Sequence, residues 1–199
     1  MIPQPYNPLD KIHLGESVVS ALLARPVVAL PPPEPFIGAG IYALYYRGDF
    51  SAYSRIAEQN AHDRWAKPIY VGKAVPVAAQ RGSYGLGESP GEVLFQQLHE
   101  HATSIQQATN LSLDDFTCRY LVVDDIWIPL AESLLISMFI PLWNYYLDGF
   151  GDHDPGAGCS NQHRSPWDEI HPGRPWAARL WANLGSPTDI LRRIAEILG

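Results

Sequence analysis

Glu132 stands where a carboxylate is costly. If its surroundings are helical, the residues three and four positions away are Ile128, Pro129, Leu135 and Ile136, with Phe139 a turn further on. An acid amid that much apolar surface needs a cation, a hydrogen-bonding partner or a proton. A core ion pair with an arginine would satisfy it. So would a catalytic or metal-binding role, and buried perturbed carboxylates often serve such roles.

His101 follows Gln97 by four residues, so the two share one helical face, at the edge of the apolar stripe Leu94, Leu98 and Ile105. A histidine there can be an interfacial residue or a base. His99 lies on another side of the same helix, which makes His99 and His101 a poor chelating pair and leaves His99 to solvent. Lys73 follows Gly72 at the end of an apolar run, and Arg81 lies in the glycine-rich segment beyond; cations in such places can meet phosphate. Gly72-Lys73-Ala74 lacks the remaining glycines of a nucleotide-binding loop, so no nucleotide cofactor is expected. His153, Cys159, His163 and His171 match no standard zinc spacing. Tyr42, Tyr45, Tyr46 and Tyr70 have the default role of strand packing.

The bulk composition limits what these residues can belong to. The chain has 199 residues, 46% hydrophobic and 18% charged, an ordinary globular balance with room for one good core. Its formal charge of −7 argues against attachment to nucleic acid by bulk charge, so any DNA-binding surface must gather its basic residues on one side or be offset by a bound cation. Two cysteines, Cys118 and Cys159, make no disulfide framework and suit a reducing cytosol. The first residues do not read as a secretory signal. The apolar run 126–143 is interrupted by Pro129, Glu132 and Pro141, and reads as a buried helix, not a membrane span.

The elements that must position the candidate residues follow from pattern. A short amphipathic helix is expected over about 10–24, then a stiff connector at Pro31-Pro32-Pro33. Strands are expected at 38–46, at 69–71 (ended by Gly72) and at 116–123. A short helix is expected within 51–65 and a loop at 81–91. Ser89-Pro90-Gly91-Glu92 has the pattern of a helix start, with the helix running to Gln107; a second long helix should cover 129–140, stopped by Pro141. Residues 148–175 are mostly loop. Ser165-Pro166-Trp167-Asp168 and Ser186-Pro187-Thr188-Asp189 are two more helix starts, the second opening a terminal helix with Ile190, Ile194, Ile197 and Leu198 on one side.

In sum this is an α/β (α+β) chain: a small mixed three-stranded sheet flanked by helices, with N-terminal helical and C-terminal loop and helix elaborations. An extension (1–36) precedes the core (37–147), and 148–199 is expected to be part of the same domain.

Gly40-Ile41-Tyr42, Tyr70-Val71-Gly72, a histidine on one helix, a glutamate on the next and then Asn144 resemble, as an ordered set, the GIY-YIG nuclease superfamily. Further segments, including Pro31-Pro32-Pro33-Glu34, Pro141-Leu142-Trp143-Asn144, Asp148-Gly149-Phe150-Gly151 and His171-Pro172-Gly173-Arg174, resemble the type II restriction endonucleases of that superfamily that cut CCGCGG. The resemblance covers about residues 28–177.

It implies hydrolysis of double-stranded DNA with one divalent cation, Mg²⁺ or Mn²⁺, held by Glu132. Tyr42 and His101 would orient and deprotonate water, Tyr70 and Lys73 would bond the phosphate or tune that base, and Asn144 would brace the site. Arg81, Arg164 and Arg174 are the candidate DNA contacts. A homodimer matched to a palindromic site, in a bacterial cytoplasm, is implied as well. One departure stands out. These nucleases usually carry an arginine where this chain has Gln97, and an uncharged amide supplies no cation to the scissile phosphate. The resemblance therefore implies an attenuated endonuclease, the alternative being a site-specific DNA-binding protein that no longer cuts.

Overall fold

A computed structural model describes residues 10–76, 89–156 and 162–199. Its centre is β2 (Gly40–Tyr46), whose seven residues are all buried. The alternation of a strand divides them between two cores. Tyr42, Leu44 and Tyr46 face one, and Ile41, Ala43 and Tyr45 face the other. β-branched and aromatic residues suit a strand covered on both sides.

The sheet has four strands in the order β1-β4-β2-β3, with β1 at Val28–Ala29, β3 at Tyr70–Ala74 and β4 at Phe116–Val122. Every pairing is antiparallel, so the mixed three-stranded sheet expected from the pattern is corrected on both counts. The added strand is two residues long, too short for periodicity to reveal, and pairs Val28 with Cys118.

Strand β3 continues through Gly72 instead of stopping there. Gly72 pairs with Tyr42, and a Cβ on it would lie 2.3 Å from the Tyr42 hydroxyl. The glycine makes room for the tyrosine; it does not end the strand.

Helix α1 (Lys11–Leu23) is capped by the Asp10 side chain and packs with α4 (Ile128–Phe139) on the Ile41 face of the sheet. Helix α2 (Ser54–Asn60) ends at Asn60, whose buried amide bonds Tyr46 O, Lys67 O and Lys67 N. Helix α3 (Val93–Gln107) lies on the Tyr42 face. It begins at Val93, later than the Ser-Pro-Gly-Glu pattern predicts, because Gly91 takes a φ of +62° and turns the chain. There Gly38 N donates to Gly91 O and Leu94 N donates to Gly38 O, which ties the start of α3 to the chain entering β2.

Helix α5 (Leu142–Tyr145) lies along the free edge of β3. Helices α6 (Pro166–Ile170) and α7 (Pro187–Leu198) open with Ser165 and Ser186 as N-caps, as their sequence pattern predicts. Phe150, Trp167, Ile170, Ile190 and Ile194 join the same core cluster as Tyr42 and Leu98. Among the described residues, no helix is long and apolar enough to cross a membrane.

Candidate active site

Two faces of the sheet deliver side chains to the neighbourhood of its edge strand, β3. From β2 and β3 come Tyr42 and Tyr70, with ring centroids 6.3 Å apart. From α3 comes His101, buried with Leu98 and Ala102 on the same helix. The Tyr42 hydroxyl lies 2.5 Å from His101 Nε2.

Burial sets the protonation of this pair. It pushes the Tyr42 phenol well above its ordinary range, with the charges of Tyr70, Glu132 and Glu100 adding to the effect. Burial likewise lowers His101 to about 3, helped by His153 and Arg174. With a protonated phenol and a neutral imidazole, two arrangements fit this contact: Tyr42 O–H donates to a bare Nε2, or Nε2–H donates to the Tyr42 oxygen while the phenol proton turns to Tyr70. Tyr70 is raised to about 12 by burial and then by Glu132 and Asp152.

Glu132 approaches from α4, on the other side of the sheet. Its Oε2 lies 2.6 Å from Nζ of Lys73, so in this structure the acid's partner is a lysine. Both groups keep contact with solvent, Lys73 more than Glu132. The charge of Glu132 still raises both tyrosines, so it reaches across the edge strand electrostatically. A single, partly exposed carboxylate suits Mg²⁺, a hard ion that keeps several waters and takes one or two carboxylates plus phosphate oxygens. Among the described residues no cluster of three or more metal-ligating side chains surrounds it. His171, one of the four zinc candidates, has both ring nitrogens engaged inside the core, with Tyr53 OH at 2.6 Å and Asn110 Oδ1 at 2.9 Å.

Asn144 binds the backbone of Val71 twice, accepting from its N and donating to its O, each at 2.7 Å. Trp143 N donates to Ile69 O beside it. Together they cover the first half of the free edge of β3. Gln97 Nε2 lies 3.4 Å from His101 Nε2, a long contact beside the Tyr42 bond.

A scan of known protein families matches residues 34–198 to the Eco29kI GIY-YIG domain. The chain belongs to this family. It is therefore a restriction-type, site-specific nuclease, and its family implies that it binds DNA. A search of curated proteins finds no match. The Eco29kI GIY-YIG match extends further toward the C-terminus than the resemblance read from motifs, taking in α7 as well.

Within this GIY-YIG chain the residues expected to act together fall into two groups. Tyr42, Tyr70, Gln97 and His101 form one contact cluster, and Lys73 pairs with Glu132 beside it. Asn144 braces β3 and does not point its amide at the tyrosines.

The arginines fare differently. Arg81 lies outside the described residues. Arg164 is partly exposed, with its Nε 3.5 Å from Glu169 Oε2. Arg174, expected at DNA, is corrected: it is 1% exposed, and all its N–H groups are used inside the protein.

Nothing in the sequence marks Phe150 for a role, although the segment containing it carries part of the resemblance. Its ring stacks on His101 at 4.6 Å and 19°.

Proposed function

We propose that the protein is a type II restriction endonuclease that hydrolyses both strands of DNA at a palindromic site, CCGCGG being the first candidate, and works as a homodimer in a bacterial cytoplasm. The observation that supports it best is the Tyr42–His101 hydrogen bond, set against Tyr70 and within electrostatic reach of Glu132. It is an acid–base relay buried on one side and adjoined on the other by a carboxylate and an ammonium.

In this reading His101 is the Nδ1–H tautomer, and Tyr42 accepts a proton from the attacking water as its own proton moves to His101 Nε2. The water oxygen bonds to phosphorus, the bond to the sugar oxygen breaks, and that oxygen takes a proton from solvent. His101 releases its extra proton to solvent afterwards. Lys73 and Tyr70 would donate to phosphate oxygens. Glu132 is the residue that would hold Mg²⁺ or Mn²⁺. Such an ion supplies positive charge to the phosphate and the leaving oxygen.

Gln97 supports a second reading. Its amide carries no charge, and Lys73 is already shared with Glu132, so the cluster is short of cations for a developing dianion. The alternative is a protein that holds the site and cuts slowly or not at all.

One experiment separates the two: plasmid carrying CCGCGG, incubated with Mg²⁺ and either the native protein or Gln97→Arg. Discrete fragments from the native protein support the endonuclease. Cutting by Gln97→Arg alone, about 10²-fold or more above the native protein, supports the attenuated binder. No cutting and no salt-sensitive binding by either would end both readings.

A further inference from the structure

The Arg174 guanidinium is fully spent on one short loop and one acid. Nε and Nη2 each donate to an Asp168 carboxylate oxygen, Oδ1 and Oδ2, at 2.7 Å. Nη2 also reaches Gly149 O at 2.6 Å, and Nη1 reaches Phe150 O and Asp152 O, both at 3.1 Å. Trp167 and Trp176 each lie 4.6 Å from the guanidinium carbon. Asp168 is itself oriented by the helix cap, since Ser165 Oγ donates to its Oδ2 at 2.8 Å.

Carbonyls that converge on one side of a turn cannot satisfy one another, so a single five-donor cation gathering three of them sets the path of the loop. A buried ion pair is a weak source of net stability compared with apolar packing, so its value here is geometric.

The loop so held touches His101 and Tyr70 through two of its residues. Phe150 stacks on His101 and meets Tyr70 edge-on at 5.0 Å and 79°. Gly151 lies so close to Tyr70 that a Cβ there would be 2.7 Å from the phenol oxygen.

We propose that Arg174 is a positioning residue for DNA cleavage: through the 149–152 loop it holds Phe150 and Gly151 against His101 and Tyr70, and it makes no contact with DNA. The catalytic part of this proposal rests on the nuclease reading above.

The test compares native protein, Arg174→Lys and Phe150→Leu. Lysine keeps the charge but cannot reproduce the forked, five-donor geometry. Phe150→Leu leaves the clamp's donors and acceptors in place and removes the ring that packs on His101 and Tyr70, so it carries the test if Arg174→Lys does not fold. Two readouts are taken. One is the proton NMR signal of the His101 ring, identified by its loss in His101→Gln and displaced by the face of Phe150. The other is kcat, measured separately from KM and from DNA affinity across salt concentrations.

In both variants the His101 signal should move toward its position in an unstructured peptide. kcat should fall about 100-fold, as expected for misplaced catalytic groups, with DNA affinity and its salt dependence unchanged. Weaker binding with a shallower salt slope in Arg174→Lys would make Arg174 a DNA contact and overturn the proposal. So would an unmoved His101 signal with native turnover. If the native protein cuts no DNA, the nuclease reading fails, while the NMR arm still decides whether Arg174 and Phe150 place His101.

Discussion

The Tyr42 hydroxyl and His101 Nε2, contributed by a strand and a helix and 59 residues apart in the chain, meet at 2.5 Å between two almost fully buried side chains. Tyr42→Phe removes the hydroxyl and leaves a buried imidazole nitrogen with only the long Gln97 contact. The substitution should cost about 1–3 kcal/mol of stability and about 10²–10⁴ in cleavage rate, with DNA binding retained. Urea unfolding and single-turnover cleavage measure the two effects. Native cleavage by the variant would remove Tyr42 from the mechanism.

Gly72→Ala tests the same tyrosine from across the strand pair. Replacing a strand glycine by alanine would ordinarily favour the fold by about 0.5–1 kcal/mol. Here the new Cβ meets the Tyr42 oxygen at 2.3 Å and its ring carbon at 2.5 Å, and Tyr42 is packed too tightly to yield. Overpacking of about 1–3 kcal/mol should prevail. The expected outcome is a lower melting temperature together with slower cleavage. A more stable, fully active variant would show that Tyr42 is free to move.

The Lys73–Glu132 pair should matter far more for chemistry than for folding. Its groups are 39% and 18% exposed, so solvent screens the attraction and the pair contributes about 1 kcal/mol or less. Glu132→Gln should therefore leave unfolding nearly unchanged and reduce cleavage by about 10²–10³. A loss of several kcal/mol with cleavage intact would identify a structural acid instead.

Acid should destabilise the protein through its buried histidines. His101 and His171 are both lowered to about 3 from 6.5 by burial. Below pH 6.5 the unfolded chain binds protons at these positions that the folded chain does not. Stability should thus fall as pH drops from 6.5 toward 3, by up to about 1.4 kcal/mol per pH unit for each histidine. Denaturant midpoints measured in steps below neutrality should decline accordingly, and a flat profile down to pH 5 would mean that one or both rings are hydrated.

Most of the helices and strands, and the motif that names the family, were legible in the chain because they rest on local signals. β-Branched and aromatic runs mark β2 and β4, Ser-Pro-x-Asp marks the starts of α6 and α7, and the apolar neighbours of Glu132 mark it as a carboxylate in need of a partner. What escaped was whatever depends on two distant segments meeting. The two-residue strand Val28–Ala29 exists only because β4 offers it an edge. Gly72 reads as a stop in the sequence, whereas in the fold it continues β3 because Tyr42 lies against it. Arg174 looked like a DNA contact because a charged residue is assumed to seek solvent or phosphate. Only the folded chain brings Asp168 and three loop carbonyls around it, and those contacts, absent from any local pattern, make an enclosed guanidinium tolerable. The residue types announced which chemistry was available; long-range packing decided which charge faces the site and which holds it in shape.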